Sequence, residues 1–308
     1  MRKELSRKKR DICNKFAAGF SLIEIAIVLL IISLIAVAVG SASIGAVEAR
    51  RYSGTVQNMQ KVEDALVSFV STNSRLPCPA DGANTATDAT FGLEQRTGSG
   101  NTTACTGMTR GVVPWRSLGL TQSDVTDGWL SLFTYRLPLH LAMNGGMTMA
   151  NCDPAGTGPA DVSIGAAPFQ QCASTCATLN LPTCTPPLAY LTGKGLTIRN
   201  VPKPAAVPAI PVIVLANPAG TPPTGAAFVV VSAGPTKGPA YNSSGVLVPS
   251  TAVVGTEEAR NQNNQALQAY YVDDDLDVNA TTMHYDDIVR RPSVATIIGK
   301  ANLGPRAH

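Results

Sequence analysis

An α+β fold, in which a long N-terminal helix carries a mainly antiparallel β-sheet head with disulfide-bearing loops, is what three features of the sequence predict. An uncharged run from Ile25 to Val47 leads, with no proline, into an amphipathic stretch that closes only at Asn73-Ser74-Arg75-Leu76-Pro77. Beyond it lie short alternating or wholly apolar runs separated by Gly, Pro, Asn and Asp, the pattern of strands and turns. Six of the seven cysteines lie in that later part, outside its strongest apolar runs.

The first 19 residues hold seven Lys/Arg and two Asp/Glu. Basic residues beside an apolar segment stay on the cytoplasmic side, so residues 1–19 form an inward-facing leader and the rest faces outward. Residues 20–75 are the long helix. Its part from 20 to 47 is read as membrane-spanning, because crossing a bilayer takes about 20 apolar residues. From Val56 onward, Met59, Val62, Leu66, Phe69 and Val70 recur mostly at intervals of three or four and mark one buried face. Gly40, Gly45 and Gly54 each lower helix propensity by about 1 kcal/mol. A break near Gly40–Gly45, leaving two helices, is the alternative.

Residues 76–308 form the head, with an insertion at about 140–195. Asp127-Gly128-Trp129 precedes a run with apolar residues at most odd positions to Leu139, which predicts a half-buried strand with Thr134 and Arg136 pointing away from the core. Trp115 and Trp129 read as core anchors. Residues 140–195 hold four cysteines and little periodicity, as an insertion stapled by disulfides would. Leu196–Arg199 alternates as a short strand. Val212-Ile213-Val214-Leu215, preceded by prolines, predicts an edge strand, and Phe228–Gly234 a central one. Pro292-Ser293 opens a last helix with Val294, Ile297, Ile298 and Ala301 on one face.

Net charge is +3, but the leader contributes +5, which leaves about −2 on the rest and no electrostatic footprint for nucleic acid. Enzyme chemistry finds no foothold. The chain has three histidines, no Gly-x-Ser-x-Gly elbow and no phosphate-binding glycine loop. His140 reads as a surface or packing residue. Cys78, Cys105, Cys152, Cys172, Cys176 and Cys184 are an even set in an exported head, which favours disulfides with 15 possible pairings. Cys78–Cys105 is the preferred pair, because it closes the loop Pro79–Ala104, which has little structure of its own. Zinc is the competing use, disfavoured because no histidine lies near Cys172 and Cys176.

Gly19-Phe20-Ser21-Leu22-Ile23-Glu24 ahead of the apolar run resembles the type IV pilin family, which includes the pseudopilins of type II secretion. The resemblance implies cutting between Gly19 and Phe20 by a prepilin peptidase, methylation of Phe20, and a role for Glu24 opposite the N-terminal amine of a neighbouring subunit. It implies a structural and non-enzymatic function in a pilus or pseudopilus. The partners would be other subunits and an inner-membrane assembly platform. The protein would be held in the bacterial inner membrane with its head in the periplasm before assembly. The processed length of 289 residues points to a minor or specialised subunit. An ordinary secretory signal fits less well, since its apolar region spans about 7–15 residues. A membrane-anchored periplasmic binding or adhesion module is the alternative function.

Asp127-Gly128-Trp129 before a Tyr-Arg strand also looks like the Asp-Pro-Trp-Gly segment of many pseudopilins, though more loosely. Near the C-terminus, Asp273, Asp274, Asp275, Asp277, Asp286 and Asp287 crowd into 15 residues. A solvated acidic loop is the preferred reading. The alternative is calcium, which takes six to eight oxygens. Asp287-Ile288 resembles the Asp-Ile end of the calcium loop in major pseudopilins, which makes Asp273, Asp275, Asp277 and Asp287 the candidate ligands. The turn that usually opens that loop has its nearest match far upstream, at Ser232–Gly238, without the aspartate.

Overall fold

The computed structural model describes residues 21–98, 104–106, 108–160, 165–177, 183–201, 211–249, 258–261, 267–276 and 284–306, with the side chains of 35–44 not described. Gly19, Phe20 and Asp277 lie outside these residues. The chain divides into two units, Met1–Arg50 and Arg51–His308, a boundary that falls inside the first helix.

Helix α1 runs over Leu22–Asn73, 52 residues, without a break at Gly40–Gly45. In the first unit its described apolar side chains, from Leu22 to Leu34, are exposed. The expected membrane-spanning first half is overturned: among the described residues no helix is long and apolar enough to cross a membrane. The other helices are short.

In the second unit, α1 supplies one wall of the core. Met59, Val62, Leu66 and Val70 are buried, and Val56 and Phe69 are partly so. The strands follow in order: β1 (Ala80–Asp81), β2 (Arg96–Thr97), β3 (Ala104–Cys105), β4 (Gly111–Val112) and β5 (Thr134–Arg136). Helices α2 (Leu139–Ala142) and α3 (Pro187–Leu191) come next, then β6 (Ile198–Arg199), β7 (Val214–Ala216), β8 (Val229–Ser232), β9 (Ala240–Tyr241), β10 (Leu247–Val248), β11 (Tyr271–Val272), β12 (Ile288–Arg290) and helix α4 (Val294–Lys300). The main sheet has the order β1-β4-β5-β8-β12 and is antiparallel throughout. A second sheet, β11-β6-β7, pairs β11 with β6 in parallel and β6 with β7 antiparallel.

Strand β8 is central, and its unbroken apolar run has a reason. Phe228 and Val230 face the core that α1 fills, whereas Val229 and Val231 pack on Ile198, Ala216 and Tyr271 of the second sheet. Burial on both faces leaves no polar position. The same sandwiching corrects the half-buried reading of β5. Thr134 and Arg136 are buried with Tyr135, because β5 lies between β4 and β8 and the second sheet covers its other face. The Arg136 guanidinium donates to the carbonyls of Gly111 and Thr109, at 3.2 and 3.3 Å. Strand β7 is an edge strand, with its Val214 and Leu215 and the preceding Val212 and Ile213 exposed.

The disulfides are Cys78–Cys105, Cys152–Cys172 and Cys176–Cys184. The last two staple the 140–195 region onto itself. Trp115 and Trp129 are core residues. Helix α4 is capped by Ser293, whose Oγ accepts from the Thr296 N–H at 3.1 Å. Its Val294, Ile297 and Ile298 are buried.

Candidate functional site

Among the described residues, helix α1 begins at Leu22. The N–H groups of Glu24 and Ile25 both donate to the Ser21 carbonyl, at 3.0 and 3.2 Å, and form the first turn. Glu24 stands in that turn and is exposed. Ten large aliphatic side chains between Leu22 and Leu34 are exposed on every side of the helix. A helix that is apolar all round is stable only when something covers it. Each large aliphatic side chain gains roughly 1.5–3 kcal/mol on full burial. Covering ten of them therefore amounts to on the order of 15–30 kcal/mol, an upper bound.

Among the described residues, the candidate calcium ligands Asp273, Asp275 and Asp287 do not gather into one cluster. Asp273 pairs with Arg291, the Asp274 carboxylate accepts from the Val201 N–H at 2.9 Å, and Asp275 is exposed. Asp286 and Asp287 are buried, which also overturns the solvated-loop reading for this pair. A different group gathers instead. Ligand atoms of Glu258, His284 and Asp286 all lie within 4.8 Å of one another. His284 Nδ1 is 3.4 Å from Glu258 Oε2, and the Asp286 N–H donates to Glu258 Oε1 at 2.9 Å. Burial, and then Asp286, push Glu258 up to about 7. Burial and the charge of Glu258 push Asp287 well above the usual carboxylate range, while Asn261 donates to Asp287 at 2.9 Å. Burial and mutual repulsion thus favour the protonated forms of Glu258 and Asp287. The mixed imidazole and carboxylate set suits a borderline ion such as zinc better than calcium, which wants six to eight oxygens.

The Ser232–Gly238 turn does meet the C-terminal aspartates. Thr236 donates to the Asp286 carboxylate through its N–H at 2.8 Å and its hydroxyl at 2.9 Å. Gly234 has φ +55°, and a Cβ there would lie 2.3 Å from the Asp286 carbonyl, so only glycine admits this approach.

The Asp127-Gly128-Trp129 segment is a tightly held turn. Asp127 Oδ1 accepts from the N–H groups of Trp129 and Ser131 at 2.9 and 2.8 Å, and Oδ2 accepts from the Ser232 hydroxyl at 2.7 Å. The Gly128 N–H donates to the Thr55 hydroxyl at 2.9 Å. A Cβ on Gly128 would collide with the Arg51 backbone at 2.6 Å, so glycine lets the turn lie against α1. His140 is buried, a packing residue rather than a surface one.

The pattern of α1 gave no sign of Glu63, which falls outside the three-and-four stripe of apolar residues. Glu63 is buried and accepts from Arg290 at 2.7 Å and Lys300 at 2.5 Å. Burial opposes its charge, but the hydrogen bonds from Lys300 and Arg290 outweigh it and hold the carboxyl below its ordinary range. No protein-family model, curated protein or solved structure matches the chain.

Proposed function

We propose that this chain is a structural subunit, of minor or specialised type, of a type IV pilus or a type II secretion-like pseudopilus. A prepilin peptidase cuts it between Gly19 and Phe20, and it assembles through its N-terminal helix. The observation that carries the reading is the start of α1, where Glu24 sits in the first turn of a helix whose other side chains through Leu34, Ser33 apart, are aliphatic and exposed. Copies of the same segment, packed side by side, cover that surface. Inside such a bundle a lone carboxylate is costly unless it is paired. The amine of Phe20 on a neighbouring copy is the partner the resemblance implies.

Three disulfides favour an oxidising compartment such as the periplasm, the side on which the head of such a subunit resides. The partners in this reading are the peptidase, other pilin or pseudopilin subunits and an inner-membrane assembly platform. The test compares parent, Glu24→Gln and Glu24→Ala in cells, by blotting total protein and sheared filaments. Cutting should be unchanged in all three, because Gly19 and the apolar run are intact. The filament fraction should lose the variants. A Glu24→Ala subunit that enters filaments as well as the parent does would sink the assembly role.

A further inference from the structure

We propose that Glu258, His284 and Asp286 bind a divalent ion of the zinc class. Glu258 opens a single 3₁₀ turn, Glu258–Asn261, while His284 and Asp286 lie in the segment that enters β12. The set shares no residue with Asp273, Asp275, Asp277 and Asp287, the candidates for calcium. Its ligand atoms gather within 4.8 Å of one another, and two of the three residues, Glu258 and Asp286, are buried. His284 keeps 12% of its side chain exposed, so the group meets solvent at the imidazole.

The spacing suits a shared ion better than a hydrogen bond. His284 Nδ1 stands 3.4 Å from Glu258 Oε2, longer than the range of about 2.7–3.2 Å for a good N–H···O bond. Zinc bonds of about 2.0–2.2 Å at tetrahedral angles hold neighbouring ligand atoms about 3.3–3.6 Å apart. The Asp286 oxygen lies no more than 4.8 Å from the other two atoms, so shifts of about 1 Å close the set around an ion. Calcium, with six to eight oxygens at about 2.3–2.6 Å, fits neither this spacing nor the imidazole.

Charge points the same way. Glu258, Asp286 and Asp287 are all buried, and among the described residues none of them forms an ion pair with Lys or Arg. Buried carboxyl groups shed their charge to a proton or are matched by a cation. One divalent ion matches Glu258 and Asp286 together, with His284 neutral, while Asp287 stays with Asn261. The surrounding bonds fix the ligand atoms. Thr236 donates to both oxygens of Asp286, at 2.8 and 2.9 Å. The Asp286 N–H takes Glu258 Oε1 and leaves Oε2 for His284. Asn261, in the same turn as Glu258, donates to the Val272 carbonyl at 2.8 Å and accepts from the Val272 N–H at 2.9 Å, which anchors the turn to β11. Partners of this kind orient metal ligands and strengthen binding. A bound ion therefore fastens the 258–261 turn to the segment ahead of β12.

The test strips the full, disulfide-bonded chain with chelator and then titrates it with zinc chloride or calcium chloride, read by calorimetry and by thermal melting. Micromolar zinc should bind one ion per chain and raise Tm, and millimolar calcium should do neither. His284→Ala, Asp286→Asn and Glu258→Gln should each weaken zinc by about tenfold or more. In chelator Glu258→Gln, which keeps the shape of the side chain, should melt at or above the parent, so its loss of zinc reports ligation and not unfolding. Zinc that binds His284→Ala and Glu258→Gln as tightly as the parent, or that leaves the parent's Tm unchanged, would overturn the proposal. Calcium that raises Tm as zinc does would overturn it too.

Discussion

Glu63→Gln removes one charge from the core while keeping the shape of the side chain. Glu63 on α1 is bound by Arg290 of β12 and Lys300 of α4, so it joins the helix to the C-terminal elements. A hydrogen bond to a charged group contributes about 1.5–3 kcal/mol. Two such bonds set the upper limit. The cations' side chains are 37% and 45% exposed and regain water once released, and the amide oxygen keeps one weaker bond. The net loss at pH 7 should be about 2 kcal/mol. For a head of this size that lowers Tm by roughly 4–8 °C. The pH dependence fixes the cause. Glu63 titrates below its ordinary value in the fold, so its contribution is present above the unfolded pKa of 4.5 and is lost as pH falls through the lower folded one. Thermal melts of parent and variant should therefore differ at pH 7 and draw together as the pH is lowered below 4.5. Equal Tm values at pH 7, or a gap that persists undiminished in acid, would refute the argument.

Three further substitutions probe two other buried carboxyl groups. Glu258 has its folded pKa raised from 4.5 to about 7, so the stability it contributes is complete below about 4.5 and is lost as pH rises through about 7. Glu258→Gln, permanently neutral, should match the parent in melts near pH 4 and exceed it near pH 8; the opposite order at pH 8 would show the carboxylate to be stabilising. Asp127→Asn should cost about 1 kcal/mol or less in denaturant titrations, since the amide oxygen still accepts from Trp129 and Ser131. Asp127→Ala strands those buried donors and the Ser232 hydroxyl and should cost about 3 kcal/mol.

Much of the architecture was legible because it rests on local pattern. The three-and-four spacing of Met59, Val62, Leu66 and Val70, the apolar run of β8 and the Ser293 cap each report on their own neighbourhood. The Cys78–Cys105 pair was legible for the same reason, as it closes one unstructured loop. What escaped depends on distant partners. Thr134 and Arg136 look like the wet face of a strand until Val229–Val231 pair with β5 and the second sheet covers them. Glu63 resembles its solvated neighbours, because Arg290 and Lys300 lie 227 and 237 residues away. The aspartates of 273–287 read as one loop, yet folding sends Asp273 to Arg291, Asp274 to Val201 and Asp286 to Thr236 and Glu258. Charge density along a chain says little about which carboxylates meet. At the N-terminus Glu24 has a defined place in the first turn of α1.

The filament reading stands most directly on the processed N-terminus. Intact-mass and N-terminal peptide analysis of the protein isolated from its native cells should find a chain that begins at Phe20, carries one methyl group on its amine and has lost residues 1–19. A chain that begins at Val39 or Ser43, after an ordinary signal-peptide cut behind the small residues Ala36-Val37-Ala38 or Gly40-Ser41-Ala42, or one that retains the leader in assembled material, would contradict it.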